Sequence, residues 1–322
     1  MSKTKKLLAI LLGMVMVFAL AACGDGESSE PAESSAVSED TATSEESATT
    51  EESTEESSEE AEGTAATGQI NVISREEGSG TRGAFIEITG VEADDTDNTT
   101  PNAAIQNGTN NVMTYVAGDP QSIGYISMGS LNETVKAVNV DGVELTDEAV
   151  LSGDYPVSRP FNIVYKEDQI DEVTQDFINF ILSKDGQDLA ADADVLAAES
   201  DAAPYEKSGD FEGCIRVQGS TSVDTYMQAL EEAYKAVQPG VNFDHTANGS
   251  GAGITAAIDG NADIGMASRE IKQEELDKGL TDQAIAIDGI AVIVSPENGT
   301  ENLTLEQIRQ IFTGEVENWD DL

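Results

Sequence analysis

Between residues 68 and 322 the apolar positions follow two periods in turn. Runs with a period of two, or short continuous apolar runs, alternate with stretches repeating every three to four residues. Residues 69–74 predict a strand and 83–88 a helix. A helix is predicted over 103–117, then strands over 122–128 and 135–140, with Asp141-Gly142 as a turn signal before 143–145. Residues 161–165 predict a strand and 173–183 an amphipathic helix, while 192–212, rich in Ala, Asp and Gly, predict a linker. Beyond it come a strand at 214–218, a helix at 223–237, a strand at 241–246, a helix at 253–258 and a strand at 262–267. The long apolar stretch 284–294 fits a strand running between two lobes. The helix at 303–312 carries start signals before it and Gly314 after it. The pattern is that of an α/β chain, and about 255 residues suffice for two lobes with separate cores.

Three loops rich in Gly, Ser and Thr lead straight into predicted helices: Arg75-Glu-Glu-Gly-Ser-Gly-Thr81, Gly219-Ser-Thr-Ser222 and Gly249-Ser-Gly-Ala-Gly253. A helix N-terminus offers N–H groups with no internal partner and a partial positive charge. Glycine lets an anion approach the backbone, and hydroxyls add donors at the same place. Three such ends converging would cage a small oxyanion without a metal or a cofactor. Any one loop alone is more often a plain helix cap than a site; the three together point to a site.

The N-terminus changes the picture of where the chain works. Lys3, Lys5 and Lys6 precede an apolar run from 7 to 22, shorter than the ~20 residues of a spanning helix and ending in small residues. Leu20-Ala-Ala-Cys23 resembles a bacterial lipobox, which implies export, cleavage and lipid attachment at Cys23. Residues 24–67 hold fifteen acidic residues and no Lys, Arg or His. Such a segment buries almost nothing, so a disordered tether over 23–67, with ends on the order of 35–40 Å apart, is expected. The whole chain carries 62 Asp and Glu against 16 Lys and Arg, a formal charge of −46. That argues against nucleic acid as a partner. An anion cage remains compatible, because buried dipoles act locally while surface charge is screened over roughly 8–10 Å.

Catalytic chemistry finds little support. With Cys23 reserved for lipid, Cys214 has no disulfide partner, and it reads as a small buried residue of its strand. His245 is the only histidine, in an alternating strand-like run, and reads as structural. Neither Ser79 nor Ser250 sits in a Gly-x-Ser-x-Gly elbow, so no enzyme is expected.

Taken together, the motifs resemble a known family. Residues 73–85 around the Arg75 loop are similar to the second-lobe phosphate loop of phosphate ABC transporter substrate-binding proteins. Gly219-Ser-Thr-Ser222, the Gly249 loop and residues 262–269 resemble that family's first-lobe elements. Residues 288–294 and 305–319 resemble its crossing strand and following helix, and 123–127 and 176–181 also fit. The order departs from the family's, because the second half precedes the first. A circularly permuted domain is expected, with 192–212 joining the old ends; a fragment of a longer tandem is the alternative.

The resemblance implies a two-lobe type II periplasmic-binding-protein fold, each lobe a mixed sheet flanked by helices, with the ligand in the cleft. One lobe would comprise 68–156 plus 291–322 and the other 157–290. It implies a phosphate shell of Arg75, Ser79, Gly80 and Thr81 from one lobe and Thr221, Ser222, Ser250 and Ser268 from the other. Arg75 would supply a planar fork to two oxygens, or else form an ion pair with Glu76 or Glu77. Many members of the family place Asp where Ser268 stands, an acceptor for protonated phosphate. Glu76, Asp263 and Asp288 are candidate substitutes. The implied function is a monomeric, lipid-anchored receptor on the outer face of the cell membrane, delivering phosphate to an ABC permease and ATPase. Receptors for sulfate, molybdate or tungstate, and a surface phosphate sensor, are the alternatives.

Overall fold

The computed structural model describes residues 66–94 and 96–322. The expected export signal (1–22), the lipidation site Cys23 and the tether up to residue 65 lie outside the described residues.

Eight strands form the backbone of the architecture: β1 (Asn71–Arg75), β2 (Ala104–Gln106), β3 (Ser122–Ser127), β4 (Ser158–Tyr165), β5 (Glu212–Gly219), β6 (Gly240–Ala247), β7 (Ile264–Ala267) and β8 (Thr281–Val294). They join in one curled mixed sheet in the order β6-β5-β7-β4-β8-β3-β1-β2. The β1 neighbours are parallel on both sides, as are the β5 neighbours, whereas β4 and β8 run antiparallel to theirs. The long strand β8 links the two halves of the sheet. Its residues from Thr281 to Gly289 pair with β4, and those from Ile290 to Val294 pair with β3.

Six longer helices cover the sheet: α1 (Gly80–Ile88), α2 (Thr109–Ala117), α3 (Glu172–Ile181), α4 (Asp224–Val237), α5 (Ser250–Asp259) and α6 (Leu305–Thr313). Their ends follow local chemistry. Thr304 caps α6 in a capping box with Gln307, and Gly314 closes it in the left-handed conformation. On one half Phe161, Phe177, Ile215, Leu230 and Tyr234 pack into a core. On the other, Phe85 stacks on Tyr125 and Phe312 packs edge-on against the pair, within a second core that includes Trp319.

Four expectations need correction. The segment 103–117 is not one helix: Ala104–Gln106 pairs in parallel with Ile73–Arg75, and Gly108, at φ 79°, turns the chain into α2. The stretch 135–140 is broken into Lys136–Ala137 and Asn139–Val140, and 143–145 contributes only a bridge from Val143 to Val140. The linker 192–212 contains a strand, Leu196–Ala197, that pairs with β8, and its Tyr205 and Ser208 hydroxyls donate to the buried Asp176 carboxylate at 2.5 and 2.6 Å. Cys214 is exposed, not buried. The first residues of β5 have β6 on one side, but β7 pairs only from Val217 on, so the strand's start overhangs its sheet.

His245 is structural, as its strand position suggested. Its Nδ1 lies 2.6 Å from Glu231 Oε1 and its Nε2 2.9 Å from Asp224 Oδ1, tying β6 to α4. Burial alone would push the imidazole down, but the two carboxylates outweigh it and raise its pKa to about 9. A raised pKa stabilises the fold fully below the unfolded value near 6.5 and loses that contribution as pH rises through about 9. Denaturant melts from pH 6.5 to 9 should therefore show stability falling by up to about 3 kcal/mol, and His245→Gln should flatten that slope.

Candidate functional site

At the C-terminal ends of β1, β5 and β6 the chain turns into helices whose first turns face each other across a cleft. Ser79 caps α1 by accepting from the Arg82 N–H, and Gly80 and Thr81 begin the helix. Across the cleft Gly249, at φ 106°, lets α5 start at Ser250. The Gly219–Ser222 turn leads into α4, and Ser268 follows β7 directly.

These ends touch. The Gly251 N–H donates to Gly78 O at 3.0 Å, and the Thr81 and Ser222 hydroxyls are 2.9 Å apart. The backbone fit at Gly80 is tight: a Cβ there would overlap Ser250 Oγ and lie 2.7 Å from Ser268 Oγ. Ser250 and Ser268 are fully buried. Ser250 Oγ accepts the Ser268 N–H at 3.1 Å, and the Ser220 hydroxyl donates to Ser268 Oγ at 2.9 Å. The eight residues expected at the site thus lie in one cluster. Nearly all the groups they present are N–H and O–H donors.

Arg75 is 1 % exposed at the end of β1. Its Nε and Nη2 donate to the two Glu76 carboxylate oxygens, each at 2.8 Å, so the ion pair with Glu76 exists, but inside the cleft. Nη2 also donates to Thr221 Oγ1 of the opposite half at 3.0 Å. Burial pushes the Glu76 carboxyl up, but Arg75 and the Gly108 N–H more than offset this and hold it below the usual carboxylate range. Arg75 is therefore oriented by Glu76, with Nη1 and Nη2 turned toward the Thr109 and Thr221 hydroxyls.

Two functional groups escaped the sequence reading. Thr109 opens α2, bringing a fourth helix start to the cluster, with its hydroxyl 3.4 Å from both Arg75 Nη1 and Thr221 Oγ1. The Gly108-Thr109 step was its signal, hidden by the single-helix reading of 103–117. Ser220 stood inside the Gly219–Ser222 loop. The three acids weighed as replacements for an acceptor at Ser268 are all engaged. Glu76 is held by Arg75, Asp263 by Arg216 at 2.8 Å from its backbone N–H, and Asp288 by Arg159 and Ser127. Beside Ser79 a cavity of about 780 Å³ opens between Arg82 and Arg269, each bound to a carboxylate, Asp97 and Glu275.

The description of the PBP superfamily domain matches residues 43–185 and 196–322. The chain belongs to the PBP superfamily. It is 47% identical over 262 residues to phosphate-binding protein PstS 2 of Streptococcus pneumoniae serotype 4, covering 80% of this chain and 89% of that protein. It is 44% identical over 264 residues to the protein of the same name from Streptococcus agalactiae serotype V, with the same shares covered. The crystal structure of a phosphate ABC transporter phosphate-binding protein from Streptococcus pneumoniae TIGR4 superposes with a TM-score of 0.65, at 47% identity, over 79% of this chain and 99% of that one. The fold is that of the periplasmic binding proteins.

Arg75→Ala removes the only guanidinium hydrogen-bonded to both halves of the cluster among the described residues. It should weaken anion binding by about 2–4 kcal/mol, thirtyfold to thousandfold, with the fold retained. Gly80→Ala should weaken binding through a clash, with Arg75 intact. Calorimetric titration and a thermal melt of each variant check both.

Proposed function

We propose that this chain captures inorganic phosphate outside the cytoplasm and delivers it to an ABC permease and ATPase complex. The observation that carries the reading is the cluster itself. Hydroxyls, helix-start N–H groups and one buried guanidinium converge from both halves of the sheet, and such a set is satisfied by an oxyanion. The names of its relatives in Streptococcus support phosphate as that anion.

The phosphate shell in this reading is Arg75, Ser79, Gly80, Thr81, Thr221, Ser222, Ser250 and Ser268. One lobe comprises 68–156 with 291–322 and the other 157–290, joined by the crossing strand β8. The reversed order of the halves is read as a circular permutation. The contact of Trp319 N–H with Gly68 O at 2.9 Å and of Gly68 N–H with Asp320 Oδ2 at 2.8 Å supports it, since these two stretches lie side by side. Residues 1–22 act as an export signal, Cys23 carries lipid, and 23–67 tether a monomeric binding body to the outer face of the membrane. The role is binding and not catalysis.

A second reading, a receptor for sulfate or another tetrahedral oxyanion, is favoured by one observation. Among the described residues Ser268 is hydrogen-bonded to Ser220 and Ser250, and the acids weighed as substitutes, Glu76, Asp263 and Asp288, are engaged with Arg75, Arg216 and Arg159. A hydroxyl can donate or accept, whereas a carboxylate only accepts and so repels an unprotonated oxygen.

Titration of the chain from residue 23 onward should give tight 1:1 phosphate binding and weaker sulfate binding, and Ser268→Asp should widen that gap. Equal or tighter sulfate binding would move the function to the second reading. In cells, Cys23→Ala should shift the protein from the membrane fraction to the soluble or secreted fraction; unchanged membrane retention would refute the lipid anchor.

A further inference from the structure

Two glycines on one face of α1 meet two consecutive residues of the opposite half. Gly80 lies against Ser268, and Gly83, three residues on and so on the same face, lies against Arg269. A Cβ at Gly83 would stand 3.3 Å from Arg269 Cδ and 3.9 Å from its Nε. Among the described residues, chain neighbours and the helix's own backbone aside, no other atom comes within 4 Å of that Cβ. Gly83 is not in the left-handed region, so the backbone does not demand glycine there. A glycine inside a helix costs roughly 1 kcal/mol relative to alanine. The close approach of Arg269 is what the absent side chain accommodates.

Arg269 is held at both ends. It follows Ser268 directly, and its carbonyl accepts from the buried Asn162 side chain of β4 at 2.9 Å. At its head Nη1 and Nη2 donate to the two Glu275 oxygens at 2.9 and 2.8 Å, and Nη1 donates also to Glu270 O at 2.8 Å. Glu275 in turn accepts the Lys272 N–H at 3.0 Å. A stem pinned in this way loses the rotamer freedom that lets an arginine yield to a neighbour. Gly83 for its part belongs with the cluster, because its N–H donates to Ser79 O at 3.0 Å. Whatever stops α1 at Gly83 therefore also places Ser79, Gly80 and Thr81.

We propose that Gly83 and Arg269 are positioning residues of the cleft. The pinned arginine stem is the stop against which α1 seats, and the bare face at Gly83 sets how closely Gly80 and Thr81 approach the opposite half. This rests on the phosphate reading above and adds to it a contact, outside the shell of eight residues, that fixes the width of the cage.

A double-mutant cycle on the chain from residue 23 onward, read by calorimetric titration with inorganic phosphate, tests it. Gly83→Val puts two methyl groups on a carbon that no side-chain rotation moves away from Arg269, and it should weaken binding at least about tenfold. Valine is no worse than glycine inside a helix, so the ligand-free melt should stay at the parent's temperature. The second background is Arg269→Ala with Glu275→Gln, which removes the stem without stranding a carboxylate. There the same Gly83→Val change should cost less than about threefold. An equal cost in both backgrounds overturns the proposal, and so does a Gly83→Val protein that binds as the parent does. If Gly83→Val does not fold, Gly83→Ala is compared in the same two backgrounds, and a cost that persists without the stem overturns the proposal. A parent that itself failed to bind phosphate would instead refute the underlying functional reading.

Discussion

Thr221 Oγ1 accepts a hydrogen bond from Arg75 Nη2 at 3.0 Å, and that contact spans the cleft. It brings the end of β1 against the turn that follows β5, and the neighbouring approaches depend on the same closeness. Gly78 O meets the Gly251 N–H, Thr81 meets Ser222, and Gly80 lies against Ser250 with no room for a side chain. Each partner in this zone brings mostly donors. Donors facing donors gain little from one another, and hydroxyls can relieve the mismatch only by turning to accept. Helix-start N–H groups have no such recourse, and in the proposed reading a ligand made of acceptors satisfies them.

The charge of the chain opposes this at long range, since a formal charge of −46 repels anions. Yet several carboxylates are each paired with an arginine: Glu76 with Arg75, Asp97 with Arg82, Glu275 with Arg269 and Asp288 with Arg159. What remains at short range is the field of helix starts and hydroxyls, acting where water is excluded and screening is weak. The surface charge is then a property of solubility and of encounter rate, not of the cage.

The loops that form the cage were legible because their chemistry is local. Gly-Ser-Gly before a helix announces exposed N–H groups whatever surrounds it, while the roles of Arg75, Thr221 and Ser250 came from the family resemblance of those loops. What depended on tertiary pairing was not legible. Residues 104–106 carry helix-compatible spacing, and only the parallel partner Ile73–Arg75 makes them a strand; the start of α2 at Thr109 was lost with them. Cys214 looked buried because its strand alternates, but burial depends on how far the neighbouring strand extends, and β7 stops short of it. Arg159 gave no sign at all, since Ser158-Arg159-Pro160-Phe161 has meaning only when β8 sets Asp288 opposite.

The order of the elements teaches the same lesson in reverse. The local signals of loop, strand and cap would read identically whichever half came first, so a change of order leaves them intact. The constraint is instead that the cleft must not be cut. Gly68 and Trp319 meet beside the start of β1, whereas the cluster forms beyond its end at Arg75. The segment between Ala197 and Glu212 is held on the outside by the Asp176 carboxylate, which accepts from Tyr205, Ser208, Tyr234 and Gln238. Burial pushes that carboxyl up, and the four donors more than compensate, so it stays ionised and keeps the segment fixed. Connections can therefore be rearranged at these places while β8, the strand that runs through both halves of the sheet, remains unbroken.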